Sequence, residues 1–286
     1  MSAPVQNGSA KGAAKPTDKK ELKILMLHGY TQSGPLFRNK TGALNKLLTK
    51  ALGPGSLNLQ PKLIYPTGPH RLKPSDIPGY QPPEGKSLED MDEEQTDNWG
   101  WFRRDEATGS YRGFDDGMHR VAETIKENGG VDGVIGFSQG GAMAALVAAA
   151  LEAEARPIPQ ALAAEDSWAT KLREANGGQA LRFAVVYSGF VARDEDLEWM
   201  YEGGGSGAEA GIQTPTLHFI GGLDTVVDED RSRGLAEKCR QDRTRVIVHP
   251  GGHYVPVSKE WTAALVMWLR EVLQEQTKST TDTEKL

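Results

Sequence analysis

Cysteine is almost missing from this 286-residue chain: there is one, Cys239. No intramolecular disulfide can form, which suits a reducing compartment. No Cys/His cluster suggests structural zinc, and no metal is expected. Cys239 lies in the helical-looking "RSRGLAEKCRQ" with no nearby histidine, and reads as a small half-buried side chain rather than a thiol nucleophile. Long hydrophobic runs are missing too. The longest, Gly140 to Leu151, is mostly alanine. It falls short of the ~18 residues that span a bilayer and fits a buried helix, so no membrane span is expected. The first twenty residues contain no arginine and no apolar block of the secretory kind. Small, polar and lysine-bearing, residues 1–20 read as a disordered arm. Cytoplasmic residence is the default, with the nucleus open as well. Positive charge is not in excess: 33 Lys+Arg stand against 39 Asp+Glu, a net charge of -6, which argues against nucleic acid as a partner.

What is present is enough apolar sequence, 38%, to build a core. Strand-like runs alternate with helix-like ones. "LKILMLHG", "PKLIYPTGP", "VDGVIGFS", "LRFAVVYSGF", "TPTLHFIGGLD" and "TRVIVHPGGH" are nearly continuous apolar runs. Such runs mark strands buried on both faces, hence a parallel sheet covered by helices. Helices are expected from "FRNKTGALNKLLTKAL" and over Asp115–Asn128, Gly140–Ala155, Asp166–Asn176, Asp228–Gln241 and Ser258–Gln276. The alternation predicts one doubly wound α/β domain over 21–275 with about six strands, and a disordered tail over 276–286. Two inserts break the rhythm. Residues 66–114 form a long Pro-, Gly- and acid-rich excursion ending in Trp99, Trp101 and Phe102. Those rings either wall a pocket or fill the core under the loop. Residues 202–212, "EGGGSGAEAGI", read as a flexible glycine-rich insert.

Chemistry concentrates at "VDGVIGFSQGGAMAALVAAALE". Gly136-Phe137-Ser138-Gln139-Gly140 sits between a predicted strand and a predicted helix. A nucleophile presented on so tight a turn takes strained backbone angles, and residues larger than glycine two places away would collide. The alternative is a serine that caps the helix. A serine nucleophile needs a base. Of the six histidines, His253 lies in "HPGGHYVP" after the last strand, where parallel sheets gather reactive groups. His28 precedes a glycine turn and braces it, while His218 and His249 read as structural. The acid that orients the imidazole is Asp224, directly after a strand, with Asp228 and Asp230 as nearby rivals. The chain order is nucleophile, acid, histidine, as expected for this sheet type. The oxyanion donors are the backbone N–H of Gln139 and that of Tyr30 in "LHGYTQSG".

Together, "LKILMLHGYTQSG", "VDGVIGFSQGGAMAA", "YSGF", "TPTLHFIGGLDTVV" and "HPGGHYVP" resemble the family of serine hydrolases of fungi and other eukaryotes, the FSH family, across about Leu22 to Leu273. The resemblance implies an α/β-hydrolase fold, a Ser138–His253–Asp224 triad, and an oxyanion hole shaped by Tyr30 and Gln139. It implies no cofactor and a small-molecule ester or thioester as partner, since characterised members cleave such bonds and some fungal ones release polyketide chains from carrier proteins. Trp101, Phe102 and Phe190 are the expected pocket-wall residues. An acyl-thioesterase is the near alternative, and a non-catalytic small-molecule receptor on the same fold the more distant one.

Overall fold

The structure is a computed structural model. It describes residues 19–54, 56–77, 79, 81, 84–85, 87, 97–105, 108, 110–203 and 205–283. The expected disordered arm therefore falls outside the described residues up to 18, as does most of the acidic stretch between Ser87 and Asp97.

The strands are β1 (Lys20–Leu27), β2 (Leu59–Ile64), β3 (His70–Arg71), β4 (Trp99–Gly100), β5 (Arg103–Arg104), β6 (Tyr111–Arg112), β7 (Gly133–Phe137), β8 (Phe183–Tyr187), β9 (Thr216–Gly221) and β10 (Thr244–His249). Six of them form one sheet in the order β10-β9-β8-β7-β1-β2, and every neighbouring pair is parallel. These are the six strands read from the sequence. The other four pair as two short antiparallel ladders, β3 with β4 and β5 with β6, inside the long insert. The helices are α1 (Gly34–Lys40), α2 (Gly42–Leu52), α3 (Phe114–Glu127), α4 (Gln139–Leu151), α5 (Trp168–Ala175), α6 (Glu198–Tyr201), α7 (Glu229–Glu237) and α8 (Lys259–Thr283). Several helix boundaries differ from expectation: α4 ends at Leu151 rather than Ala155, and α7 at Glu237 rather than Gln241. The first predicted helix is split at Thr41, whose hydroxyl donates to the Phe37 carbonyl at 2.7 Å. The last helix runs on to Thr283, past the boundary drawn at 275. Among the described residues no helix is long and apolar enough to cross a membrane.

The continuous apolar strands follow from burial on both faces. Successive side chains point to opposite sides, so Leu25, Leu27, Val134, Ala184 and Val186 pack with α3, α4 and α5. Ile24, Met26, Ile135, Val185, Leu217 and Phe219 pack with α1, α2 and α8 on the other face. Helix α4 is buried along its whole length. Its alanines and glycines keep it thin enough to lie between the sheet and α5. Strand order reverses between β1 and β7, so the loops leaving their carboxyl ends diverge and open a crevice there. Because the sheet is all parallel, the loops after β8, β9 and β10 emerge at that same end.

Two buried polar features tie the elements together. At the end of α4, Glu152 Oε1 accepts from the Thr214 N–H and Oγ1, both at 2.7 Å, and Oε2 accepts from the Gln213 N–H at 3.0 Å. Arg156, 1% exposed, pairs with Glu152 and donates from Nε to the Met200 carbonyl at 3.0 Å. This holds the segment entering β9 against α4. At the end of β1, His28 spans the crevice floor: its Nε2 accepts the Gly68 N–H at 2.9 Å and its Nδ1 donates to the Gly29 carbonyl at 2.8 Å. Burial pushes the His28 pKa down to about 4, and burial does the same to His218, also about 4.

Removing one member of a buried ion pair strands the other charge. Glu152→Ala is expected to cost about 3–5 kcal/mol, read as a fall in the urea midpoint with little change in slope. The two histidines set an acid limit. Both bind a proton in the unfolded chain below about pH 6.5 but stay neutral when folded down to about pH 4. Stability is thus expected to fall as pH drops from 6.5 to 4, by up to ~3 kcal/mol for each imidazole. Urea titrations through that window check it; a flat profile would show both rings already charged in the fold.

Candidate active site

Ser138 follows β7 directly and precedes α4, with φ 54° and ψ -117°. An L-residue pays sterically for positive φ. The turn is held by the Ser138 N–H donating to the Tyr187 carbonyl at 2.8 Å and by the Ser138 carbonyl accepting from Gly141 and Ala142 at 2.9 and 3.0 Å. The flanking glycines have the steric reason anticipated from the sequence. A Cβ at Gly136 would lie 1.9 Å from the Gly140 carbonyl oxygen, and one at Gly140 would lie 2.2 Å from the Leu27 carbonyl oxygen. Helix α4 can therefore start against the end of β1 only with glycine there. The Ser138 side chain makes no capping bond to its helix, so the capping alternative is not what occupies its hydroxyl.

The hydroxyl instead lies 2.9 Å from His253 Nε2, and His253 Nδ1 lies 2.7 Å from Asp224 Oδ2. The carboxylate accepts only, so Nδ1 carries the proton and Nε2 presents a lone pair to the serine. Phe137 packs beneath the imidazole with ring centroids 4.8 Å apart. The histidine loop reaches the acid loop because both are glycine-lined. A Cβ at Gly221 would lie 2.6 Å from the Gly252 carbonyl oxygen, and the Leu223 N–H donates to the Gly251 carbonyl at 3.0 Å. The Asp224 side chain is fully buried. Burial by itself raises its pKa, but the hydrogen bonds from His253 and from the Val227 and Val226 N–H groups, each of the latter 2.9 Å from Oδ1, outweigh it and hold the carboxyl below its usual range. The rival acids lie elsewhere. Asp228 caps α7 through the Arg231 N–H at 2.8 Å, and Asp230 is exposed in its first turn.

Beyond β1, Thr31 has φ 64°, and its N–H donates to the Trp99 carbonyl at 3.0 Å while the Trp99 N–H donates to Gln32 at 3.1 Å. This bridge anchors the Tyr30 loop to the long insert. Among the described residues, no hydrogen bond engages the backbone N–H of Tyr30 or of Gln139. The Gln139 side chain has a role that sequence reasoning missed. Its Oε1 accepts the Trp101 N–H at 2.8 Å and its Nε2 donates to the Phe102 carbonyl at 2.8 Å. A carboxamide has one acceptor and one donor end, which suits a passing backbone, but nothing local in the sequence names the partner.

Two of the expected wall residues serve otherwise. Trp101 and Phe102 are 0% and 1% exposed, with Trp101 Nε1 donating to the His28 carbonyl at 2.9 Å and Phe102 edge-on to Tyr111 at 4.8 Å. Of the two readings of these rings, core filling under the loop describes them; they offer no surface to a substrate. Phe190 differs. It is half-buried at the margin of the core, beneath the Arg231 guanidinium. Exposed apolar Leu223, Val226 and Tyr254 lie on the loops that carry Asp224 and His253. His249 and Cys239 are both fully buried, deeper than the half-buried position expected for Cys239, whose Sγ lies 3.6 Å from His218 Nε2.

A family model described as serine hydrolase (FSH1) matches residues 17–265. The chain is 31% identical over 238 residues to the dihydrofolate reductase of Schizosaccharomyces pombe, covering 83% of this chain but 44% of that protein, so it spans less than half that relative's length. It is 29% identical over 257 residues to Family of serine hydrolases 2 of Saccharomyces cerevisiae, across 87% of this chain and 98% of that one. It is 30% identical over 249 residues to esterase OVCA2 of Danio rerio, across 83% and 91%. Among solved structures, esterase PE8 has a TM-score of 0.51 at 19% identity over 88% of this chain and 93% of its own. Zea mays acyl-protein thioesterase 2 has 0.50 at 18% over 91% and 97%. Both share the α/β-hydrolase fold. Motifs, sheet and family match agree: this chain belongs to the serine hydrolase (FSH1) family and is an enzyme of the hydrolase class.

Proposed function

We propose that Ser138, His253 and Asp224 form the catalytic triad of a hydrolase that cleaves carboxylic esters or thioesters through an acyl-enzyme. The observation that carries this reading is the unbroken contact from a strained serine through imidazole to a buried carboxylate, at 2.9 and 2.7 Å.

In the proposed cycle, Ser138 Oγ attacks the carbonyl carbon as its proton passes to His253 Nε2. The carbonyl π pair moves onto oxygen, where the Tyr30 and Gln139 N–H groups receive the developing charge. Collapse of the tetrahedral species expels the alkoxide or thiolate, which takes the proton from Nε2. Water then attacks the acyl-enzyme by the same steps in reverse order, releasing the acid and restoring the serine. Asp224 stays ionised throughout and stabilises the imidazolium. Its depressed pKa suits that role, since a protonated carboxyl would surrender the charge. Relatives named as esterases favour ester cleavage; a neighbour of the same fold is a thioesterase by name, which keeps thioesters within the class.

A fluorophosphonate probe is expected to label the protein at Ser138 and to leave Ser138→Ala unlabelled; labelling of that variant would remove the nucleophile assignment. Asp224→Asn is expected to keep the fold and lose about ten-thousandfold in kcat, because an amide facing Nδ1 favours the wrong tautomer. Steady-state kinetics on p-nitrophenyl esters of graded length measure this. Near-zero rates along the whole series, from protein with native circular dichroism, would overturn the esterase reading.

A further inference from the structure

Arg231 stands in the first turn of α7 with its guanidinium 5.0 Å above the centroid of the Phe190 ring. Its Nη1 donates to the Val226 carbonyl at 3.1 Å. Both contacts lead to the reacting groups. Val226 donates its own N–H to Asp224 Oδ1 at 2.9 Å. Phe190 leaves β8 three residues after Tyr187, whose carbonyl holds the Ser138 N–H. The intervening Gly189 abuts the first turn of α4: a Cβ at Gly141 would lie 3.1 Å from the Gly189 Cα. Arg231 thus clasps the acid loop to the loop after β8, at the rim that also exposes Leu223, Val226 and Tyr254.

The charge of this arginine is not consumed by the fold. No carboxylate of the described residues pairs with it. The acids beside it in sequence do not answer it. Asp228 uses Oδ1 to cap the helix, Glu229 pairs with Arg233 at 2.6 Å, and Asp230 is not within ion-pair distance of the guanidinium. A guanidinium is planar, and one held over an aromatic ring presents its remaining N–H groups as a fixed fork suited to a carboxylate or phosphate.

Resting on the hydrolase reading above, we infer that Arg231, seated on Phe190, is a specificity-determining residue that receives an anionic group carried by the ester or thioester. The shared chemistry is a carboxylate or phosphate joined to an apolar stem: the stem lies on the Val226 and Phe190 side chains and the anion meets the guanidinium. The charge resides either on the acyl part, as in a half-ester of a dicarboxylic acid, or on the leaving group, as in a thioester of a short mercaptocarboxylic acid.

Two matched pairs separate these sources. On the acyl side, p-nitrophenyl hemiglutarate is compared with p-nitrophenyl butyrate. On the leaving-group side, S-butyryl-3-mercaptopropionate is compared with S-butyryl-N-acetylcysteamine. The full chain is expected to prefer the anionic member of one pair. Arg231→Gln should lower that anionic-to-neutral ratio of kcat/KM by about fivefold or more, with the loss in KM, and Arg231→Lys should restore part of it. Added salt should shrink the preference of the unmodified chain. A ratio that Arg231→Gln leaves unchanged in both pairs overturns the inference. Equilibrium binding of the same four compounds to Ser138→Ala, with and without Arg231→Gln, needs no turnover. Loss of anion-selective binding there supports the inference even if no ester is cleaved, and equal binding by both proteins overturns it. A failure of the triad reading appears separately, as absent fluorophosphonate labelling at Ser138.

Discussion

Everything at the carboxyl end of this sheet depends on how closely α4 approaches β1. The helix starts where a Cβ at Gly140 would meet the Leu27 and His28 carbonyl oxygens at 2.2 and 2.4 Å. That contact places the first turn of α4 at the strand-order reversal, between the loops that carry Ser138 and Tyr30. It also forces Ser138 into positive φ, a conformation that persists because the surrounding backbone bonds over-determine it. The strain is not isolated. Of the four non-glycine residues with positive φ among the described residues, Thr31, Ser138 and Ser188 each follow a strand of the main sheet. A helix packed this tightly can be only glycine and alanine along much of its length, which is why its composition is so uniform.

The electrostatics follow from the same packing. A carboxylate with no exposed side-chain surface is costly unless its lone pairs are filled. Asp224 fills them with one imidazole and two backbone N–H groups. The loop that carries it is aimed by β9, and the segment entering β9 is pinned to the far end of α4 by Glu152. Ser138 and Asp224 are thus referenced to the two ends of one rigid helix. His28 completes the floor as a neutral ring, donating through one nitrogen and accepting through the other, a role that a charged imidazole could not fill.

Several parts of this arrangement are legible without coordinates. Continuous apolar runs such as "FAVVY" and "GVIGF" exist only where both faces of a strand are covered, so the parallel sheet was readable. Gly136 answers a collision within the turn, with the Gly140 carbonyl, and was readable; the collision that requires Gly140 is with the Leu27 and His28 carbonyls, remote in sequence. The family match covers the same motifs in the same order. Trp101 and Phe102 show the opposite case. Aromatic residues at the end of a loop are equally consistent with a wall or a core, and their depth depends on α3 and on the Gln139 carboxamide, which meets them across 37–38 residues of sequence. The split of α1 from α2 at Thr41 was hidden because helical periodicity runs through it.

The amino-acid order alone determined which residues can do chemistry and in which sequence they come: a serine in a glycine-bounded turn, then an acid after a strand, then a histidine after glycines. It did so because turn sterics and strand burial act over a few residues. Only the tertiary structure decided which acid faces the imidazole, that Gln139 grips the passing backbone with its side chain, and that Arg231 lies on Phe190 without a carboxylate partner among the described residues. Those outcomes depend on distances between segments that are remote along the chain, set by the packing of helices on the sheet rather than by any local preference.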